Sequence, residues 1–182
     1  ACSKAIGLDD DIALEQAVDY LDGIVNSDMS DEVKRDPERV KLLLRSYARN
    51  CSTQANNSTI KADMIKNDAM SLDEDTIASY VKALKELYVV EESEAWSPNI
   101  RSKTAIRTSN TRYFVDPSIA CAALDIGPGN LIGDLNLFGF LFENLCIRDI
   151  RIYSERLKGV VKHYRDSSGL EVDAVITLRN GD

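Results

Sequence analysis

The chain has 182 residues, 44% of them apolar and 29% charged, and a formal net charge of −8. That length can bury one or two domain cores, and the composition is that of an ordinary globular protein rather than a disordered or fibrous one. No apolar run approaches the ~20 residues that cross a bilayer and no basic-then-apolar leader is visible, while the acidic total disfavours indiscriminate binding to nucleic acid.

A cytoplasmic setting is therefore the expectation. The four cysteines, at positions 2, 51, 121 and 146, include no close pair. Such spacing argues against a zinc site or a disulfide framework and for reduced thiols. The charge is uneven: residues 1–40 hold eleven acids against four bases and carry seven of the eight net negative charges. Residues 99–115, by contrast, contain Arg101, Lys103, Arg107 and Arg112 and no acid.

Taken in chain order, Ile12, Leu14, Val18, Leu21 and Val25 predict an amphipathic helix over 10–26. Asp36, Pro37 and Glu38 form a helix start, with Asp36 as cap, and Val40, Leu43, Leu44 and Tyr47 make the buried stripe behind it. The polar run 50–57 predicts a loop, and Ser58 a cap for a short helix over 59–68 with Ile60, Met64 and Ile65 inward. Ser71 and Glu74 have capping-box spacing ahead of a helix through Ile77, Tyr80, Val81, Leu84 and Leu87.

The pattern then turns to strands. Leu87–Val90 and Thr111–Val115 are rich in β-branched and aromatic residues, with the basic residues between them. Three helices followed by a two-stranded ribbon with a basic loop is the order of a winged helix-turn-helix. Asp116-Pro117-Ser118 opens a short helix, Gly127-Pro128-Gly129-Asn130 marks a turn and domain boundary, and Leu135–Tyr153 reads as an apolar helix buried on two sides. Val160–Arg165 and Leu170–Leu178 read as strands around a turn at Asp166-Ser167-Ser168-Gly169, and Asn180-Gly181 calls for a further hairpin.

Chemistry concentrates at the end. Residues two apart on a strand share a face, so Glu171 and Asp173 project together, with Leu170, Val172, Ala174 and Ile176 on an opposite, buried face. Paired carboxylates repel unless a cation or proton lies between them, and Mg²⁺ suits such oxygen ligands. Glu143 from the long helix is the third acid, and the set would activate water and stabilise phosphoryl charge. The plainer alternative is a hairpin with solvated acids. Similarly, Arg101, Lys103, Arg107 and Arg112 either grip phosphates or are solvated loop charges. Asp73, Glu74 and Asp75 at the start of the presumed recognition helix oppose groove reading and favour a winged helix used for protein contact. His163, the lone histidine, reads as a structural or surface residue rather than a catalytic one.

Tyr164-Arg165-Asp166 and Gly169-Leu170-Glu171-Val172-Asp173, preceded by Leu141-Phe142-Glu143-Asn144, resemble the C-terminal region of unknown function attached to prokaryotic AAA-type ATPases. Arg112–Ser118, Ala95–Asn99 and Ser46–Asn50 are also similar to that family, so the resemblance spans nearly the whole chain. It implies an α+β chain, mainly α in its N-terminal part: a helical linker over 1–35 following an absent ATPase domain, a winged-helix-like domain over 36–126, and a truncated PD-(D/E)-x-K, restriction-endonuclease-like α/β domain over 127–182. Glu143, Glu171 and Asp173 would be catalytic, Glu143 and Asp173 the ligands of Mg²⁺, and the basic loop the contact to DNA. The family's Glu-x-Lys would follow Asp182, so this piece alone is expected to be inactive.

Two departures matter. No P-loop is present, so ATP is expected only through the absent ATPase domain. Relatives also carry an Arg soon after a stretch like Ser27–Ser30, where this chain has Asp31-Glu32. The resemblance leaves open a second function, a non-catalytic protein-docking or DNA-binding regulatory module of the ATPase.

Overall fold

The computed structural model describes residues 9–28, 36–68, 71–97 and 109–178. Helix α1 (Asp10–Gly23) passes into a π-turn at Ile24–Asp28. Three helices follow: α2 (Pro37–Arg49), α3 (Asn57–Asp68) and α4 (Glu74–Glu86). After them come β1 (Val90–Ser93), β2 (Thr111–Phe114), α5 (Pro117–Leu124), α6 (Pro128–Gly133), the long α7 (Leu135–Glu155), β3 (Val160–Arg165) and β4 (Glu171–Thr177). The architecture is α+β, with two small antiparallel sheets. No helix among the described residues is long and apolar enough to cross a membrane.

The helix starts follow from short polar side chains. Asp36 caps α2 by accepting from Glu38 N at 3.0 Å, with Pro37 in the first turn, as the sequence implies. Elsewhere the caps move. Asn56, not Ser58, closes the start of α3, accepting from Thr59 N at 2.9 Å. Asp73, not Ser71, caps α4 through Thr76 N at 2.8 Å. In each case the residue whose carbonyl begins the helix is also the one whose side chain reaches the orphan amide, and helical periodicity alone does not locate it.

One apolar core joins α1 to α5. Val40, Leu43, Leu44 and Tyr47 of α2 meet Ile60 and Met64 of α3, Ile77 and Leu84 of α4, and Val90 and Phe114 of the first sheet. Tyr47 and Phe114 pack edge to face at 5.4 Å, a geometry their ring quadrupoles favour. Ile12 and Ile65, expected inward, are about half exposed. The first strand also lies later than its composition suggests. Leu87 caps α4 and Tyr88 turns with positive φ, so the more polar Val90-Glu91-Glu92-Ser93 pairs with Thr111–Phe114.

The second region is hung on the first. Asn144 of α7 accepts from Phe114 N at 3.0 Å and donates to Phe114 O at 2.7 Å, satisfying the edge of β2 as a strand would. It also accepts from the Cys51 thiol at 3.1 Å. β3 makes an isolated parallel bridge between His163 and Ala95, with Trp96 N donating to His163 O at 2.6 Å and His163 N to Glu94 O at 3.0 Å. These bonds, and the entry of Leu141 into the apolar core, cross the boundary expected at Gly127–Asn130, where the chain forms α6.

Two expectations fail on burial. α7 buries Leu141, Asn144, Ile147 and Ser154, but Leu135, Phe138 and Phe142 lie on an exposed face, so only one side is covered among the described residues. Leu170, Val172 and Ile176 are likewise exposed rather than forming a buried face of β4. The turn between the strands is as expected: Asp166 accepts from Ser168 N at 2.8 Å and Leu170 N at 3.1 Å, and Gly169 supplies the positive φ of 91°.

Candidate functional site

Loop 52–54, β2, α7, β3 and β4 enclose a cleft of about 390 Å³. Glu143, Glu171 and Asp173 all line it. The acids singled out by the sequence, on two elements, therefore share one space. With them stand Ser52, Tyr113, His163 and Arg165.

Each wall has a local cause. Ser52 adopts φ 58°, a region that costs a non-glycine residue roughly 1 kcal/mol or more. It is held there from both sides: Ser52 N donates to Arg112 O at 2.8 Å, and Arg112 N donates to Thr53 O at 2.9 Å. The Ser52 hydroxyl then donates to Phe140 O at 2.7 Å, tying the loop to α7 one turn before Glu143. On β4, a register irregularity sets His163 alone opposite Asp173 and Ala174, because Lys162 pairs with Val175 and Tyr164 with Val172. A bulge of this kind re-aims the side chains it carries.

The acids are not equivalent. Glu171 is exposed and pairs with Arg165 at 3.3 Å, so its charge is already partly answered. Glu143 is partly buried and accepts the Tyr113 phenol proton on Oε1 at 2.8 Å. The Glu143 carboxyl is raised to about 7, chiefly by burial, with the negative charges of Asp173 and Glu171 adding to the rise and hydrogen bonds from Tyr113 and Ser52 opposing it. Tyr113 itself is driven well above the ordinary phenol range by burial and by the Glu143 charge, so it stays a donor. Arg151 lies over the Tyr113 ring at 5.4 Å and is anchored in turn by an ion pair with Glu91.

His163 is structural in part, as expected. It is 3% exposed, its Nδ1 lies 3.1 Å from Ser93 O, and burial depresses its pKa. Its Nε2 is buried without a hydrogen bond, on a side chain that lines the acidic cleft. Sequence reasoning did not place it at the cleft, and passed over Tyr113 and Ser52. For Tyr113 one signal was present: strand periodicity puts it on the same face as Thr111, opposite Arg112. Nothing local tied that face to Glu143, 30 residues on.

Oxygen donors of this kind suit a hard divalent cation, with Glu143 and Asp173 as the acids least committed to protein cations. No three His, Cys, Asp or Glu side chains among the described residues stand close enough to hold a metal ion together.

The expected nucleic-acid residues fare differently. Arg101, Lys103 and Arg107 lie outside the described residues. Arg112 is 6% exposed, stacks over Tyr47 at 5.2 Å, and donates to Ala55 O and to Asn57 Oδ1, the latter at 2.8 Å. A guanidinium so engaged joins β2 to the α2–α3 loop, although its other terminal nitrogen is buried without a hydrogen bond. It borders a second, more open cleft of about 520 Å³ lined by Gln54, Asn56, Asn57, Glu92 and Asn110. The start of α4 keeps Glu74 and Asp75 exposed, a poor surface for DNA phosphates.

Residues 8–130 match a family described as Domain of unknown function (DUF8612). The match covers the helical core, β1, β2 and α5 and ends before α7, so Glu143, Glu171 and Asp173 lie beyond it. No curated protein and no solved structure matches the chain.

Proposed function

Because the chain belongs to the family described as a domain of unknown function (DUF8612), its activity has to be read from the cleft, and we propose that the cleft is a divalent-cation site of a nuclease-like domain joined to a winged helix. The parent protein on this reading is an AAA-type ATPase, and Glu143 and Asp173 would hold Mg²⁺, with Glu171 in support from the same cleft. The observation that carries it is the convergence of three acids from α7 and β4 on one cleft, with a Glu143 carboxyl raised to about 7 by burial and by its acidic neighbours. Such a carboxyl calls for a proton or a cation.

A bound Mg²⁺ would supply activation of water and stabilisation of phosphoryl charge. The residues of the chain supply the binding and orientation: Tyr113 holds Glu143, Arg165 engages Glu171, and the bulge aims Asp173. No lysine lines the cleft among the described residues, so cation binding without cleavage is the expected behaviour of this chain alone.

The test is Mn²⁺ titration followed by amide NMR. Paramagnetic broadening is expected around residues 52–54, 111–113, 143 and 171–173, and its loss in Asp173→Asn. Broadening scattered over the acidic surface, unchanged by that substitution, rules the reading out.

The docking alternative has its own support in the exposed face of α7, where Phe138 and Phe142 stack at 6.2 Å. On that reading Phe142→Asp abolishes association with the ATPase region in a two-component binding assay, and Asp173→Asn leaves it intact. The opposite pattern excludes it.

A further inference from the structure

Arg112 carries a charge that it cannot shed, and it is only 6% exposed. Burying such a group is costly unless an anion answers it. None of its partners among the described residues is one. Nε donates to Ala55 O and Nη2 to Asn57 Oδ1 at 2.8 Å, and Nη1 is buried without a hydrogen bond. The guanidinium lies over the Tyr47 ring, whose phenol burial keeps protonated, so Tyr47 brings no negative charge. Glu92 stands opposite Arg112 in the β1–β2 ladder, but its Oε2 is already held by Lys85 at 2.7 Å and Asn110 at 2.8 Å.

The missing anion has a place to sit. Arg112 lines the open cleft of about 520 Å³, beside Ala55 and Asn57, which hold its Nε and Nη2. Asn56, Asn57 and Ser58 bring the start of α3 to the same wall. The first amides of a helix carry partial positive charge and favour an anion. Gln54 and Asn110 add side-chain amides that donate to oxygen. Glu74 and Glu92 line the cleft too, and they disfavour a ligand bearing more than one negative charge.

We propose that this cleft binds a small monocarboxylate, with Arg112 as its counter-ion and the start of α3 as its second support. The proposal goes beyond the cation reading and does not depend on it: the two clefts share only Gln54, so either can fail alone.

The experiment titrates acetate, neutral acetamide and inorganic phosphate, at constant ionic strength, into the wild-type chain and Asn57→Asp. Backbone amides and the Arg112 Nε–H signal are followed by NMR. In the wild type, acetate is expected to give saturable shifts at residues 54–58 and 110–112, acetamide none, and phosphate weaker binding than acetate. Asn57→Asp keeps the shape of the side chain on Arg112 Nη2 and supplies the anion from within. That variant is expected to unfold at a higher urea concentration and to bind acetate roughly tenfold or more weakly. Absence of saturable acetate shifts at these residues overturns the proposal, as does binding of acetamide or phosphate as tight as that of acetate. So does an acetate affinity unchanged in Asn57→Asp.

Discussion

The helical core and the α7–β3–β4 region obey opposite rules. In the core, apolar residues go inside, and acids are spent on structure: Asp36 and Asp73 cap helices, and Asp63 and Asp68 clamp Arg49. In the second region Phe138, Phe142 and Val172 are outside, while Glu143 and His163 are drawn inside. A stretch that exposes what should be buried, and buries what should be solvated, is using stability for something else. The contrast is why the cleft, rather than the helical core with β1 and β2, holds the functional reading.

The comparison breaks most sharply on paired truncations. Phe114→Ala, in the shared core, is expected to lose about 3–5 kcal/mol in denaturant unfolding, and Phe142→Ala within about 0.5 kcal/mol. Comparable losses at both sites mean that the α7 face is covered in solution and that the contrast is false. Asn144→Ala strips both Phe114 backbone bonds and the Cys51 contact, for about 2–3 kcal/mol, and deuterium exchange is expected to rise at β2 and α7 together. Asp73→Ala, a cap confined to the core, should cost only about 1 kcal/mol and leave α7 exchange unchanged.

The smallest effect is in pH. Glu143 binds its proton more tightly folded than unfolded, because its carboxyl is raised to about 7 in the native chain. Stability from this group is therefore highest where both states are protonated. It falls as pH rises through the ordinary carboxylate range to about 7, and is flat above. Glu143→Gln should remove that slope from urea midpoints measured across the range. A slope that survives the substitution assigns it to another group.

What was legible in the sequence was what local chemistry decides. Asp36-Pro37-Glu38 starts a helix whatever surrounds it, and Asp166–Gly169 turns the β3–β4 hairpin through its own side-chain and glycine geometry. The grouping of Glu143 with Glu171 and Asp173 also emerged, from strand periodicity and from a family resemblance. What stayed hidden depends on distant partners. Arg112 reads as a loop cation until Ala55 and Asn57, more than fifty residues earlier, are seen to absorb it. Tyr113 reads only as an aromatic residue of a strand until Glu143 meets its hydroxyl. The exposed face of α7 reads as buried because periodicity reports which residues are apolar and says nothing about whether another element covers them.

The most direct test follows the carboxyl carbon of Glu143 by NMR as pH is varied, with and without Mg²⁺. The account expects a midpoint near 7 in the chain alone, and a marked fall when Mg²⁺ is added, because a cation competes with the proton. A midpoint in the ordinary carboxylate range that Mg²⁺ does not move contradicts it.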